Sequence, residues 1–230
     1  MSVSTLSAST QDYLKAVWVL SEWTEKPVTP SIIAERIGVT TSTVSITLGK
    51  LAKQGFVNHE RYGAVTLTPE GEQLALAMVR RHRILETFLV EMLGYTWDEV
   101  HDEAERLEHA VSDLLISRLD THLGHPNRDP HGDPIPSPTG ELVNLDEAVM
   151  LADVPANTRV RIERVNDAQP EMLREFSRRG IGVGSVLTTA DPDPLADTVS
   201  VTISGVKTPV LLGAAARRAL WVVAADSPKQ

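Results

Sequence analysis

An α+β chain built in three parts is predicted from three observations. Residues 7–93 carry helical apolar spacing interrupted by one short alternating stretch. Residues 97–120 continue the helical spacing in an acid-rich segment. Residues 148–230 carry short β-like runs around one amphipathic helix, set off by a stretch with five prolines, 124–140. For 230 residues, two or three small domains are expected rather than one core.

The elements follow in order. Residues 7–23 place Tyr13, Leu14, Val17, Trp18, Val19 and Leu20 on one wide apolar face, with Ser9 or Thr10 as a cap. Ile32, Ile33, Ala34 and Ile37 form a short helix ended by Gly38, and Thr40 to Ser42 cap another carried by Val44, Leu48 and Leu51. Two short helices about a glycine turn make a helix-turn-helix. Phe56–His59 and Val65–Thr68 read as strands about a turn at Tyr62–Gly63. Helix, helix-turn-helix and hairpin in that order predict a winged helix over 1–73. A long helix is expected over Pro69–Leu93, with proline in its first turn and Gly94 after its end. A further helix is expected from about Trp97 through Leu107 and on toward Asp120. Together these make a helical domain over 74–140, closed by a proline-rich linker or extended loop. "TRVRIERV", "GSVLTTA", "TVSVTI" and "ALWVVAA", with a helix near Pro170–Arg179, predict a small barrel-like β domain over 148–230.

Composition narrows the function. The chain has no cysteine, which excludes disulfides, cysteine-ligated zinc and thiol catalysis, and fits a reducing cytoplasm. Neither a secretory signal nor a run of eighteen apolar residues is present, so a cytoplasmic protein without a membrane partner is expected. The net charge of −9 argues against nucleic acid only as a sum. Residues 1–73 hold six Lys/Arg against seven Asp/Glu, whereas 74–125 hold five against ten. The excess acid therefore sits in the middle segment, where it invites cations.

Residues 40–54 read as a DNA-recognition helix. Its first turn is dense in hydroxyls, from which Thr40, Ser42, Thr43 and Ser45 are the candidate contacts. Lys50 and Lys53 follow as candidate phosphate contacts. No Arg or Gln stands ready for bidentate base reading, so modest direct readout is expected, aided by DNA shape and by a dimer on two half-sites.

The segment "HDEAERLEHAVSD" (101–113) separates by helical angle. At about 100° per residue, His101, Glu105, Glu108 and His109 fall within a sector of roughly 100°. Asp102, Glu103 and Asp113 point elsewhere and read as solvated. His82 and Glu86 form an i, i+4 pair on the preceding helix. Carboxylate and imidazole donors without sulfur suit a hard ion such as Mn²⁺. Similar clusters build di-iron and hydrolytic zinc centres, but the Glu-x-x-His spacing of di-iron bundles and the His-Glu-x-x-His motif are both absent. A Gly-rich phosphate loop and a G-x-S-x-G elbow are absent too, so neither catalytic residues nor a small-molecule substrate are expected.

"DYL" (12–14), "TSTVS" (41–45), "RRHRILETFL" (80–89), "VHDEAERLEHAVSD" (100–113) and "DPHGDPIP" (129–136) resemble the diphtheria toxin repressor family of metal-dependent transcription regulators over nearly the whole chain. The resemblance implies an SH3-like (FeoA-like) C-terminal domain, a homodimer on double-stranded operator DNA, and two metal ions per subunit. It implies a primary site of Asp12, Glu105, Glu108 and His109. It implies an ancillary site of His82, Glu86 and His101, with Asp167, Gln169 and Glu171 as further candidates. The iron-sensing branch carries Met and Cys where this chain has Asp12 and Glu105. The carboxylates resemble the manganese-responsive branch, and imply a Mn²⁺-activated repressor of manganese uptake, with Fe²⁺ as the alternative metal. Lys15 stands where some short manganese regulators are acidic, which favours the ancillary-site arrangement over a binuclear one. His122, His125 and His131 receive no ligand role and read as structural or solvent-facing; His59 belongs to the wing.

Overall fold

The computed structural model describes residues 3–23, 26–59, 63–143, 147–192 and 196–225. The elements in chain order are α1 (Ala8–Trp23), α2 (Pro30–Ile37), α3 (Thr41–Lys53), β1 (Val57–His59), β2 (Val65–Leu67), α4 (Pro69–Leu93), α5 (Val100–Glu108), α6 (Asp113–His122), β3 (Val149–Met150), β4 (Arg159–Val165), α7 (Pro170–Arg178), β5 (Val186–Pro192), β6 (Thr198–Ile203), β7 (Val210–Gly213), α8 (Ala214–Arg218) and β8 (Leu220–Ala224). Two compact units emerge. One comprises Met1–Leu85, Ala104–Asn127 and Ile135–Leu142; the other comprises Glu86–Glu103, Arg128–Pro134 and Val143–Gln230.

The first unit opens with the helix-turn-helix. Thr29 caps α2 by accepting from the Ile32 amide, and Pro30 supplies a preset φ at its first position. Gly38 ends α2 at φ 75°, which a side chain would resist. Thr40 caps α3 by accepting from the Thr43 amide. The inner faces of these helices then close on one core: Leu14 and Val17 from α1, Ile33 from α2, Val44, Leu48 and Leu51 from α3, and Leu74 and Met78 from α4 are almost wholly enclosed. Each such side chain contributes about 1.5–3 kcal/mol by leaving water. The hairpin pairs β1 with β2 in antiparallel register, Val57 opposite Leu67 and His59 opposite Val65. Tyr62 of the expected turn lies outside the described residues. α4 runs over the span its sequence predicts.

One expectation is corrected. The helix expected to run from Trp97 toward Asp120 is two helices, α5 and α6. Ser112 breaks it in extended conformation, φ −83° and ψ 156°, and its side chain accepts from the Leu115 amide to start α6. Apolar periodicity continues across the break, so only the capping residue marks it.

The second unit carries a six-stranded antiparallel sheet in the order β3-β8-β4-β5-β6-β7. Val160, Ile162, Leu187, Val201, Ile203, Leu220 and Val222 alternate inward and close against Leu173 and Phe176 of α7. The sequence reading missed β3, β7 and α8, which are too short to show a period. Residues 128–134 of the proline-rich stretch form an ordered extended loop rather than a free linker. The Val165 amide donates to His131 O at 2.9 Å, and Asp133 pairs with Arg164. Gly132 sits at φ 87°, and a Cβ there would lie 2.0 Å from Glu163 O, so only glycine admits this approach.

Candidate metal centres and DNA-binding helix

In the first unit, α1 brings Asp12 and Lys15 to one side, one turn apart, and the end of α5 brings Glu105, Glu108 and His109. Donor atoms of Asp12, Glu108 and His109 converge within the reach of a single ion, as do those of His82, Glu105 and Glu108. Glu108 is the hub. Its side chain is wholly buried, with Oε1 2.6 Å from Lys15 Nζ and Oε2 2.6 Å from His82 Nδ1. His109 Nε2 lies 2.9 Å from Asp12 Oδ1 and 3.6 Å from Glu108 Oε1. Lys15 Nζ also reaches Glu105 Oε1 at 2.6 Å.

Gln11 sets the His109 ring. Its amide nitrogen donates to Val3 O at 2.8 Å and Leu6 O at 3.2 Å, which turns its oxygen toward His109 Nδ1 at 2.7 Å. Nδ1 therefore carries a proton, and Nε2 is the nitrogen turned toward the carboxylates, the one a metal ion would take. Burial, followed by the nearby Glu108 and Glu105 charges, holds the Asp12 carboxyl above its ordinary range against the pull of His109 and Lys15. Burial works against the Lys15 charge, but Glu108 and Glu105 outweigh it and keep the ammonium charged. Lys15 thus sits between two carboxylates as an internal cation.

A second cluster forms within the other unit. Glu86, near the C-terminal end of α4, is buried, and Oε1 lies 3.3 Å from His101 Nδ1. His101 Nδ1 also meets Asp167 Oδ2 at 3.1 Å. Donor atoms of Glu86, His131 and Asp167 converge within reach of one ion. His131 is wholly buried and stacks on Trp97 with centroids 6.1 Å apart. Its Nε2–H donates to Trp97 O at 2.7 Å, while Nδ1 is buried without a hydrogen-bond partner. Glu86 Oε2 is 3.9 Å from that nitrogen. A buried nitrogen without a partner is rare and costly. Placed beside two carboxylates, it fits a divalent cation of hard character. Burial disfavours charge on both rings, yet the carboxylates prevail: Asp167 and Glu86 push His101 up to about 10, and Glu86, Asp129 and Asp167 push His131 up to about 9. Burial would raise Asp167, but His101 and His131 hold it well below the carboxylate range.

On α3, Thr40, Ser42, Thr43, Ser45, Lys50 and Lys53 are all exposed. Part of the hydroxyl set is engaged by the helix itself. Thr40 and Thr43 hydroxyls pair at 2.9 Å, and Ser45 Oγ donates to Thr41 O at 3.0 Å.

Comparison with known proteins matches the family described as iron dependent repressor, N-terminal DNA binding domain, over residues 5–65. The metal binding and dimerisation domain of iron dependent repressors matches 68–137, and the FeoA domain matches 149–223. The diphtheria toxin repressor of Corynebacterium glutamicum is 34% identical over 188 residues, covering 77% of this chain and 81% of that one. The chain belongs to the diphtheria toxin repressor family. Another curated relative in that family, the iron-dependent repressor IdeR of Mycobacterium tuberculosis, is 35% identical over 67% of this chain and 69% of its own. Among solved structures, a manganese-dependent transcriptional repressor in complex with manganese superposes with a TM-score of 0.89 at 50% identity, covering 94% of this chain and all of that one. The manganese regulator SloR gives 0.79 at 31% identity, covering 94% and 98%.

Against that family background, the residues expected at the metal sites sort by position. Asp12, Glu108 and His109 converge, and Glu105 joins them across Lys15. Glu86 and His101 meet, and Asp167 joins them. His82 lies one turn before Glu86 on α4 and contacts Glu108 within the first unit. Glu171 points to solvent and pairs with Arg174, while Gln169 occupies the N-cap position of α7 without a side-chain capping bond. Two residues were missed. His131 lies among prolines, where no period flags it, although "DPHGDPIP" carried part of the family resemblance. Gln11 looks like an ordinary helix-surface amide, and nothing local reveals its role. His125 pairs with Asp120 at 2.7 Å with its side chain largely exposed, in keeping with a structural or solvent-facing reading.

Proposed function

We propose that this chain is a Mn²⁺-activated, homodimeric repressor that binds double-stranded operator DNA in the cytoplasm and controls manganese uptake. The convergence of Asp12, Glu108 and His109 carries the proposal. It joins α1, which packs on α2 of the helix-turn-helix, to the acidic helix α5. The primary site takes Asp12, Glu105, Glu108 and His109. The ancillary site takes Glu86, His101 and Asp167, with His82 from the same helix and with His131 added on geometry. A bound divalent ion supplies the positive charge that lets these carboxylates share a small volume. Gln11 orients His109, Trp97 O orients His131, and Asp12 anchors α1 so that α3 is held in one presentation. Two ions per subunit bring the formal charge from −9 to about −5, which eases approach to DNA. The donors are oxygen and nitrogen only, which favours Mn²⁺; Fe²⁺ is the alternative within the family. A carboxylate–histidine metalloenzyme is the reading from another class. No catalytic role is assigned to either cluster.

The test is fluorescence anisotropy on a duplex selected from a randomised pool, with chelator, Mn²⁺ or anaerobic Fe²⁺. A gain of at least about a hundredfold with Mn²⁺ is expected, corresponding to about 2.7 kcal/mol of coupling. Equal affinity with and without metal sinks the proposal. A larger response to Fe²⁺ assigns the chain to the iron branch.

A further inference from the structure

Two residues on α3 break the local rules for a helix, and both stand on the same face. Ile46 is 64% exposed, more than any other large apolar side chain among the described residues. The core face of α3 is Val44, Leu48 and Leu51, on the opposite side. Gly49 is exposed in mid-helix, and a Cβ built there meets nothing within 4 Å. Glycine is the poorest helix former after proline, and here no packing inside the chain requires it. A lone exposed isoleucine is ordinary. An exposed isoleucine beside an unrequired glycine is a local cost without an internal reason, and such costs mark contact with something outside the chain.

The neighbours say what that partner is. At about 100° per residue, Ser42, Ile46, Gly49, Lys50 and Lys53 share a sector of roughly 100°. A hydroxyl, an apolar group, a gap and two cations in series match the wall of a DNA major groove. Its principal apolar feature is the C5-methyl group of thymine.

We infer that Ile46 reads a thymine methyl group in each operator half-site, and that Gly49 is the gap that lets α3 come close enough to do so. The inference deepens the repressor assignment and rests on it. Selectivity at that base pair comes from apolar contact rather than from a bidentate hydrogen bond.

The experiment uses the full chain with Mn²⁺. A duplex is first selected from a randomised pool, and each thymine is then replaced in turn by deoxyuridine, which removes only the methyl. One thymine per half-site is expected to lose about tenfold in wild-type affinity on that replacement. Ile46→Ala is expected to lose the same tenfold and to be indifferent to deoxyuridine at that position. Gly49→Ala is expected to raise Tm by about 2–4 °C while binding at least tenfold more weakly. A gain in stability with a loss in binding separates contact from misfolding. The inference is overturned if wild type and Ile46→Ala respond alike to every deoxyuridine, or if Gly49→Ala binds as wild type. It is also overturned if Ile46→Ala changes only the oligomeric state, since the face then meets protein. Failure of the pool to yield any metal-dependent sequence overturns the repressor assignment itself, a distinct result.

Discussion

Lys15 is buried against two carboxylates that the metal would also claim, and the two cations cannot both hold Glu105 and Glu108 closely. Lys15→Met is therefore expected to destabilise the metal-free protein, on the order of 3 kcal/mol, because the wholly buried Glu108 loses the ammonium against its Oε1. The same change should tighten Mn²⁺ binding by about tenfold, as the internal competitor is gone. Paired melting and calorimetry would check both, and unchanged Mn²⁺ affinity would mean that Lys15 does not compete. His101 and His131 carry the pH dependence. His101 has its folded-state value raised from 6.5 to about 10, so its pairing stabilises the metal-free protein fully below about pH 6.5 and fades as pH rises through about 10. A ring must lose its proton to ligate, so Mn²⁺ binding at pH 7.5 should release protons and strengthen between pH 6.5 and 8.5. Calorimetry in buffers of different ionisation heat reads this directly; no buffer dependence would exclude these rings as ligands.

At the scale of elements, α3 has two faces with separate duties. Val44, Leu48 and Leu51 hold it in the core, while Ser42, Ile46, Lys50 and Lys53 face out. Leu48→Ala should cost about 2–5 kcal/mol in urea unfolding, because Leu48 is wholly enclosed and its removal leaves a cavity. An unchanged midpoint would contradict the packing described. Long, strongly periodic elements were legible in the sequence: α1, α2, α3, α4 and α7 lie near where apolar spacing puts them. β3, β7 and α8 were not, because elements of two to five residues show no period and the pairing partners of the two strands are remote. The break between α5 and α6 was hidden for a different reason: capping by Ser112 overrides a periodicity that continues through it.

At the scale of the whole molecule, two clusters of carboxylates and histidines recruit residues from segments far apart in sequence. Lys15 and Glu105 are 90 positions apart, and His101 meets Asp167, 66 positions further along the chain. Such clusters link the folded state to metal concentration. With Mn²⁺ at a hundred times its dissociation constant, the native state gains about 2.7 kcal/mol per site. A rise in Tm of roughly 5–10 °C over chelator-treated protein is expected by calorimetry. Identical melting in both conditions would mean that the native state does not bind the ion. Among the described residues no helix is long and apolar enough to cross a membrane.

The sequence by itself determined the helix faces, the caps at Gly38 and Thr40, and the class of donors available to a cation, since these depend on near neighbours and on side-chain chemistry. Family resemblance extended that to a likeness across most of the chain. Only the tertiary structure decided that Lys15 stands between Glu105 and Glu108, that Gln11 orients the ring of His109, and that His131 turns a nitrogen without a hydrogen-bond partner toward Glu86. Periodicity states which way a side chain leaves its own helix, but the distance between two elements is set by packing contributed from everywhere else in the chain.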